Sequence, residues 1–340
     1  MSTPTLAVRA GESNLVVLLL IALCAISGLL NPAFLSWATV YDSLQNLTIV
    51  GMLGMAVLLV MLSGGVDVSF PAVAALTSYV CVKLCISMEV DIGVVPLYTL
   101  AALFGMGLGL FNGFFVAFLG LPALIVTLGT SSLFYGFNLF FVGSQNLFNI
   151  PASVDAFART RWLTFYDATG QAWGVHPATL LFLVIALLTA AALRYTTWGR
   201  GIYAIGGNAE AAQRIGLPVK KLEMLLFAAA GGLAGIAGIT QVVFSRSANP
   251  GALNGSELDV IAAVVLGGVS VTGGKGTVGG ALLGLTFVVV MTSSLVLLGV
   301  PASWQKLFVG ATLILGISLT ALRIKRRQSS APIPYSSMEA

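Results

Sequence analysis

The chain has 340 residues, of which 58% are hydrophobic and 8% charged. A soluble domain carries about 25% charged residues, so a water-soluble globule is excluded and the outer surface must itself be apolar. The formal net charge of +4 does not point to nucleic acid, because the cations cluster beside apolar runs, where membrane topology places them.

Those runs are about 20 residues long, the length of a membrane-crossing helix; barrel strands alternate over about 10. The sequence therefore predicts an all-α polytopic membrane protein with about ten transmembrane helices. Residues 1–14 form a short polar N-terminus. The first apolar run follows with no small-residue cleavage site, so it is read as an uncleaved span. Spans are expected at 15–31, 38–62, 69–88, 96–119, 123–142, 178–195, 222–244, 258–272, 277–299 and 304–322. The eighth is short and glycine-rich and is read as a broken or partly inserted helix. Such a break is tolerated where protein or a water-filled path covers the freed backbone.

The loop 143–177 balances Arg159 and Arg161 against Asp155 and Asp167 and is placed outside. Its Trp162, Tyr166 and Trp173 fit either an interfacial belt or a docking surface. Segment 194–221 holds Arg194, Arg200, Arg214, Lys220 and Lys221, and the tail 323–340 holds Arg323, Lys325, Arg326 and Arg327. Both are placed in the cytoplasm, and ten spans then put both termini there. No soluble domain remains, so residues 1–340 read as one transmembrane domain. The 39 glycines suit close helix packing. Cys24, Cys81 and Cys85 lie in or at the ends of apolar runs and are read as packing residues. VMLSGGVDVSF (60–70) and VVLGGVSVTGG (264–274) echo one another, as an internal duplication would.

The polar residues argue against enzymatic chemistry in this chain. His176 stands alone before Pro177 and reads as an interfacial residue. No cluster has metal-ligand spacing, and no nucleophile elbow occurs. VSVTGGKGT (269–277) lacks the order of a phosphate loop: Val269 stands where its first Gly should be, and Gly276 where Ser or Thr should be. No selectivity-filter sequence or ring of acids suggests a channel. The intramembrane polar residues are mostly neutral. Asn46, Asn112, Thr130 and Gln241 are candidates for a solute pathway, with interhelical hydrogen bonding as the alternative for each. Asp67, Glu257 and Asp259 at span ends, and Lys275 in the glycine-rich turn, are gating or structural candidates.

AIGGNAEAAQRIGLPVKK (204–221) is polar and basic. Gly206 and Gly207 break the chain, Asn208 caps a helix, Glu210 sits in its first turn, and Gly216 with Pro218 ends it. A helix of about two turns is too short to be stable alone. Composition leaves open whether it fits a groove in a soluble subunit or lies on the membrane surface.

VMLSGGVDVSFPAVAAL (60–76), GLFNGFFVAFLGLPALIVTLGT (109–130), TTWGRGIYAIGGNAEAAQRIGLPVKK (196–221) and SELDVIAAVVLGGVSVTGGKGTVGGALLG (256–284) occur in an order that resembles the ribose-type permeases of bacterial ABC importers. The same broad family includes branched-chain amino acid permeases. The familiar GGIDLSVG reads GGVDVSFP here, with Phe70 and Pro71 in place of Val-Gly. The resemblance implies a multi-pass subunit of the bacterial inner membrane, paired with a second permease copy as a homodimer or heterodimer. It also implies an ATP-binding subunit that uses ATP and Mg, and a periplasmic binding protein; this chain itself would bind no cofactor. Residues 199–216 would contact the ATPase, through Gly206, Gly207, Asn208, Glu210, Arg214 and Gly216. Glu257 and Asp259 would face the binding protein or pair with Arg246. The sugar branch fits the motifs best, covering pentoses, hexoses, cyclitols and furanosyl compounds. The alternatives are a permease for nucleosides or branched-chain amino acids, and behind these a stand-alone channel or secondary carrier.

Overall fold

A computed structural model describes residues 5–166, 172–301, 303–311, 314 and 318. It is built from helices joined by short turns. The first, α1 (Thr5–Leu30), begins well before the expected first span, and its apolar part is Val16–Leu30. Then come α2 (Trp37–Leu62), α3 (Phe70–Ser87), α4 (Val94–Ala117) and α5 (Ala123–Phe137), which continues as a π-helical turn to Val142. After a loop with the short α6 (Ala152–Ala158) come α7 (Pro177–Tyr195), α8 (Thr197–Gly207), α9 (Ala209–Arg214) and α10 (Val219–Ser245), followed by α11 (Glu257–Leu266) and α12 (Val278–Leu297). A further helical stretch covers 303–311. Among the described residues, seven helices are long and apolar enough to cross a membrane: α2, α3, α4, α5 with its π turn, α7, α10 and α12. The chain is an all-α polytopic membrane protein.

The expected eighth span, 258–272, is shorter as a helix. α11 has 10 residues, about 15 Å of rise against a hydrocarbon core of about 30 Å. Gly267 and Gly268 stop it, and the rest of the stretch is an irregular turn. The last expected span, 304–322, lies largely outside the described residues, as does the tail 323–340.

α2 is the central helix. It packs on α3, α7, α8, α10, α11 and α12, and nearly all of Thr48–Leu62 is buried. α4 is peripheral on most of its surface: 22% of its apolar window is buried, against 72% for α2. One face of α4 is nevertheless in very close contact with α10. A Cβ added at Gly105 would collide with Gly231 O, and one at Gly109 with Phe227 O. In the other direction, a Cβ at Gly231 would collide with Gly105 O, and one at Gly235 with Ala101 O. The small-residue spacing 105, 109, 113 on α4 thus meets 231 and 235 on α10, backbone against backbone. The abundance of glycine has its structural use here.

The connections sort into two ends. At one end lie the turn 63–69, the turn 118–122, the segment 196–218 and the turn 267–277. Lys220 Nζ stands 5.6 Å from the ring centroid of Phe118, and a Cβ at Gly65 would lie 3.1 Å from Ala123 Cβ. At the opposite end Asn31 Nδ2 donates to Leu297 O at 3.0 Å. There Leu147 and Ala248 form a two-way backbone bridge. Asp155 pairs with Arg159 at 3.0 Å and with Arg246 at 2.6 Å. Arg246 is therefore engaged by Asp155 rather than by Glu257 or Asp259.

The loop 143–176 has a strand pair that the apolar periodicity did not suggest: β1 (Trp162–Tyr166) runs antiparallel to β2 (Ala172–Val175). Trp173 packs its ring on Tyr41 of α2, with centroids 6.0 Å apart, while Trp162 is exposed. His176 is buried and caps α7. Its Nδ1 accepts from Ala178 N at 3.0 Å, so the neutral ring carries its proton on Nε2, which donates to Phe157 O at 2.9 Å. Burial holds its pKa below the ordinary histidine value, consistent with a structural role for a neutral ring. Cys81 and Cys85 are buried and unpaired in α3.

Candidate functional site

The polar stretch that stands out in the sequence forms two successive helices. Thr196 caps α8, its Oγ1 accepting from Gly199 N at 3.0 Å. Four glycines in eleven residues give α8 a poor intrinsic propensity, so packing must hold it. A Cβ at Gly199 would collide with Ala192 O of α7, and one at Gly201 would lie 2.8 Å from Leu222 Cδ1. Gly206 and Gly207 are the last two residues of α8 and do not break the chain. The break comes at Asn208, with extended backbone. Asn208 ends α8 and caps α9 as expected, its Oδ1 accepting from Ala211 N at 2.9 Å.

α9 has six residues and closes in a Schellman motif. Leu217 N donates to Ala212 O at 3.1 Å and Gly216 N to Gln213 O at 3.0 Å. Ala212 alone within α9 is buried, against Ile205, Leu217 and Leu222. Glu210 and Arg214 pair at 3.5 Å with both side chains exposed, a contact worth a few tenths of a kcal/mol. Ile215, at the tip, is 76% exposed. The whole outward face of α9 is thus available to a partner.

Beneath α8 the two echoed segments meet. α2 ends at Leu62 and α11 ends at Leu266, the matching residue of the echo. The two helix ends use the same motif. Gly64 N donates to Met61 O at 3.0 Å and Gly65 N to Val60 O at 3.3 Å. Gly268 N donates to Val265 O at 2.9 Å and Val269 N to Val264 O at 3.4 Å. Gly64 (φ +91°) and Gly268 (φ +88°) both take the left-handed conformation that this stop requires. The echo is therefore a repeated helix end, and the chain diverges after it. The loop to α3 is shorter than the loop to α12. Gly274 N then donates to Leu62 O at 2.9 Å, tying the second turn to the first. Lys275 projects from this turn into solvent, while its carbonyl accepts from Ser270 N at 2.9 Å.

Asp67 is buried at the start of α3. Its Oδ1 accepts from Ser69 N and from Ser69 Oγ, each at 2.7 Å. Ser69 Oγ in turn accepts from Asn112 Nδ2 of α4 at 2.8 Å. Thr127 of α5 completes the cluster: its Oγ1 accepts from Val68 N at 3.1 Å and donates to Val66 O at 3.2 Å. Phe70 is buried and Pro71 lies in the first turn of α3, where a missing N–H costs nothing. Burial pushes the Asp67 carboxyl above the usual carboxylate range, against the pull of the Ser69 donors. Asp67→Asn is expected to leave thermal stability in detergent nearly unchanged, since an amide oxygen still accepts both bonds. Asp67→Leu strands two donors and is expected to cost about 1–3 kcal/mol for each. Equal melting of the two variants would refute a role for the carboxyl as an acceptor.

The pathway candidates fall in different settings. Asn112 and Thr130 are buried, Asn112 on Ser69 and Thr130 with its Oγ1 3.4 Å from Thr127 O. Asn46 is exposed on α2 and Gln241 is half-buried on α10. Glu257 and Asp259 stand half-buried in the first turn of α11, at the opposite end from α9. Thr127 is marked in the sequence only as one of the neutral intramembrane polar residues, and Leu62, Ser69, Tyr203, Gly273 and Gly274 carry no such mark. The echo was the signal that pointed to the turns holding several of them.

Seven apolar helices among the described residues, close-packed glycine crossings and an exposed helical elbow at one end define the class, a polytopic α-helical membrane protein. The comparisons give the particular family: residues 39–317 match the branched-chain amino acid transport system / permease component, and the chain belongs to that family. It is 33% identical over 300 residues to the probable ABC transporter permease protein YphD of Escherichia coli K12, covering 88% of this chain and 86% of that one. It is also 33% identical to the autoinducer 2 import system permease protein LsrC of Salmonella paratyphi B, covering 88% and 83%. LsrC of Enterobacter sp. strain 638 is 33% identical over 312 residues, covering 91% and 86%. No solved structure matches the chain. The chain is a permease subunit of the ABC importer type.

Proposed function

We propose that this permease serves an ATP-driven, binding-protein-dependent importer for a monosaccharide or a related polyol or furanosyl compound. It sits in the bacterial inner membrane with ten spans and both termini in the cytoplasm. The observation that carries this reading is α9, which is held by a single buried alanine and offers its remaining face outward. It stands at the end where Arg194, Arg200, Arg214, Lys220, Lys221 and Lys275 gather, the bias expected of a cytoplasmic face. An ATPase subunit docks there and supplies the energy, using ATP and Mg. Two permease copies enclose the pathway, so residues lining it are those a single copy leaves exposed, as it does Asn46. The binding protein meets the opposite end, near Glu257 and Asp259. Neutral polar residues in the spans favour an uncharged, hydroxyl-rich solute, and relatives named for autoinducer 2 import favour the sugar branch over the amino acid branch.

Reconstitution tests this directly. With its ATPase and binding protein in liposomes, the permease should take up solute only when ATP is present. Ribose, galactose or inositol should compete and leucine should not. Competition by leucine alone would move the chain to the amino acid branch. Uptake by the purified chain without partners would replace the importer with a channel or carrier.

A further inference from the structure

We propose that Gly206 is the fulcrum through which α8 moves two parts of the bundle at once, and that it does not touch the ATPase. The inference rests on the coupling reading of α8 and α9 and assigns that site its internal mechanism. The hydrogen bond from Gly274 N to Leu62 O joins the turn before α12 to the end of α2. Gly206 lies directly over that bond: a Cβ at 206 would collide with Leu62 O on one side and Gly274 N on the other. The contact closes around all three segments. A Cβ at Gly273 would stand 2.6 Å from Gly64 N and 2.8 Å from Gly206 Cα. One at Gly274 would stand 3.0 Å from Gly207 N. Just under one turn earlier in α8, Tyr203 Oη donates to Gly276 O at 2.9 Å, so α8 also holds this turn by a side chain.

The physical consequence follows from the lack of side chains between these segments. A contact between flexible side chains absorbs small displacements by changing rotamers. A backbone-to-backbone contact at van der Waals distance has no such slack, and close-packed interiors transmit strain. A shift of α8 is therefore delivered to α2, the central helix, and to the turn that connects α11 with α12. The same helix stop at Leu62 and Leu266 places both receiving segments at the level of α8. α11 in turn carries Glu257 and Asp259 at its far end, so the junction links the coupling element to the face opposite. Gly206 is a positioning residue in this scheme, while Glu210, Arg214 and Ile215 of the outward surface meet the partner.

The test uses the whole transporter in nanodiscs with its ATPase. Asn254→Cys, on the exposed turn before α11, is introduced after alanine replaces Cys24, Cys81 and Cys85. Maleimide labelling at 254 is timed with and without ATP plus vanadate. The reference protein should show a nucleotide-dependent change in labelling rate. Gly206→Ala should still assemble and hydrolyse ATP but lose that response by roughly tenfold or more. Gly279→Ala is the control, because nothing lies within 4 Å of a Cβ there, and it should respond as the reference does. Tyr203→Phe adds no atoms and removes one bond to the same turn; it should reduce the response severalfold, and it decides the matter if Gly206→Ala does not assemble. A full response in Gly206→Ala or, failing its assembly, in Tyr203→Phe overturns the fulcrum. A reference protein that fails to assemble with any ATPase overturns the coupling reading instead, and the fulcrum with it.

Discussion

Gly231→Leu is expected to leave almost no folded protein in the membrane, whereas Gly107→Leu on the facing helix is expected to be nearly silent. The two substitutions add the same four carbons to a glycine inside a helix. At Gly231 even the first of those carbons has no room: it would collide with Gly105 O and lie 2.9 Å from both Gly109 Cα and Gly109 N. These are backbone atoms of α4, which cannot rotate away as a side chain could. α4 and α10 would have to separate along a crossing that also involves Gly235 and Ala101. Overpacking a well-filled core costs about 1–3 kcal/mol. Separating two backbones that touch loses the close packing on which association inside lipid depends. The sum is comparable with the whole stability of a marginally stable protein, about 5–15 kcal/mol. Gly107 is on the exposed side of α4, with nothing within 4 Å of an added Cβ. Yield of monodisperse protein by fluorescence-detected size exclusion separates the cases. Equal yields would mean that the α4–α10 contact does not hold the fold together.

The sequence made this crossing partly legible. Gly105, Gly109 and Gly113 recur every four residues, which puts them on one helix face. Nothing in the chain says that the partner is α10, because that depends on how nonadjacent helices assemble. The spans themselves were the most legible feature, since hydrophobic length over about 20 residues is a local property. The boundaries expected at 38–62, 69–88 and 178–195 fall within a residue of α2, α3 and α7. α8 was not legible, because its glycines argue against helix locally and are there for packing on α7 and α10. The strand pair at 162–175 was missed for a similar reason: it is a short local structure laid on Tyr41 of α2. The polar residues show the same limit. Asn112 reads equally well as a pathway amide or as a helix-packing donor, and only the fold places Ser69 beside it. His176, solitary in the sequence, becomes a helix cap once Phe157 is brought to its other nitrogen. The N-cap at Asn208 and the stop at Gly216 were legible because capping is decided by neighbours in sequence.

The double substitution Arg214→Glu with Gly207→Pro is expected to abolish uptake while the protein still inserts in the membrane. Each half acts on a different part of the elbow. Arg214 and Glu210 are both more than 80% exposed, so reversing the charge at 214 costs the isolated subunit little stability. Its effect falls on whatever meets α9, where two acids now stand four residues apart on the outward face. Gly207→Pro acts on the inside of the elbow. Proline removes the N–H at the last residue of α8 and disfavours helical backbone at the residue before it. That residue is Gly206, whose position over Leu62 O and Gly274 N depends on the helix continuing to it. The variant thus weakens the surface that receives force and displaces the segment that passes it on. Neither substitution lies within a membrane-crossing helix, and insertion depends on the hydrophobic length of those helices, so the protein should reach the membrane at normal levels. Uptake of labelled solute by whole cells, normalised to the amount of membrane-inserted subunit, is the measurement. On the coupling reading uptake falls to background, with ATPase subunits recovered in reduced amount on pull-down. Normal uptake would remove α9 as the coupling element, since no simple connector lying on the membrane surface need care about either residue.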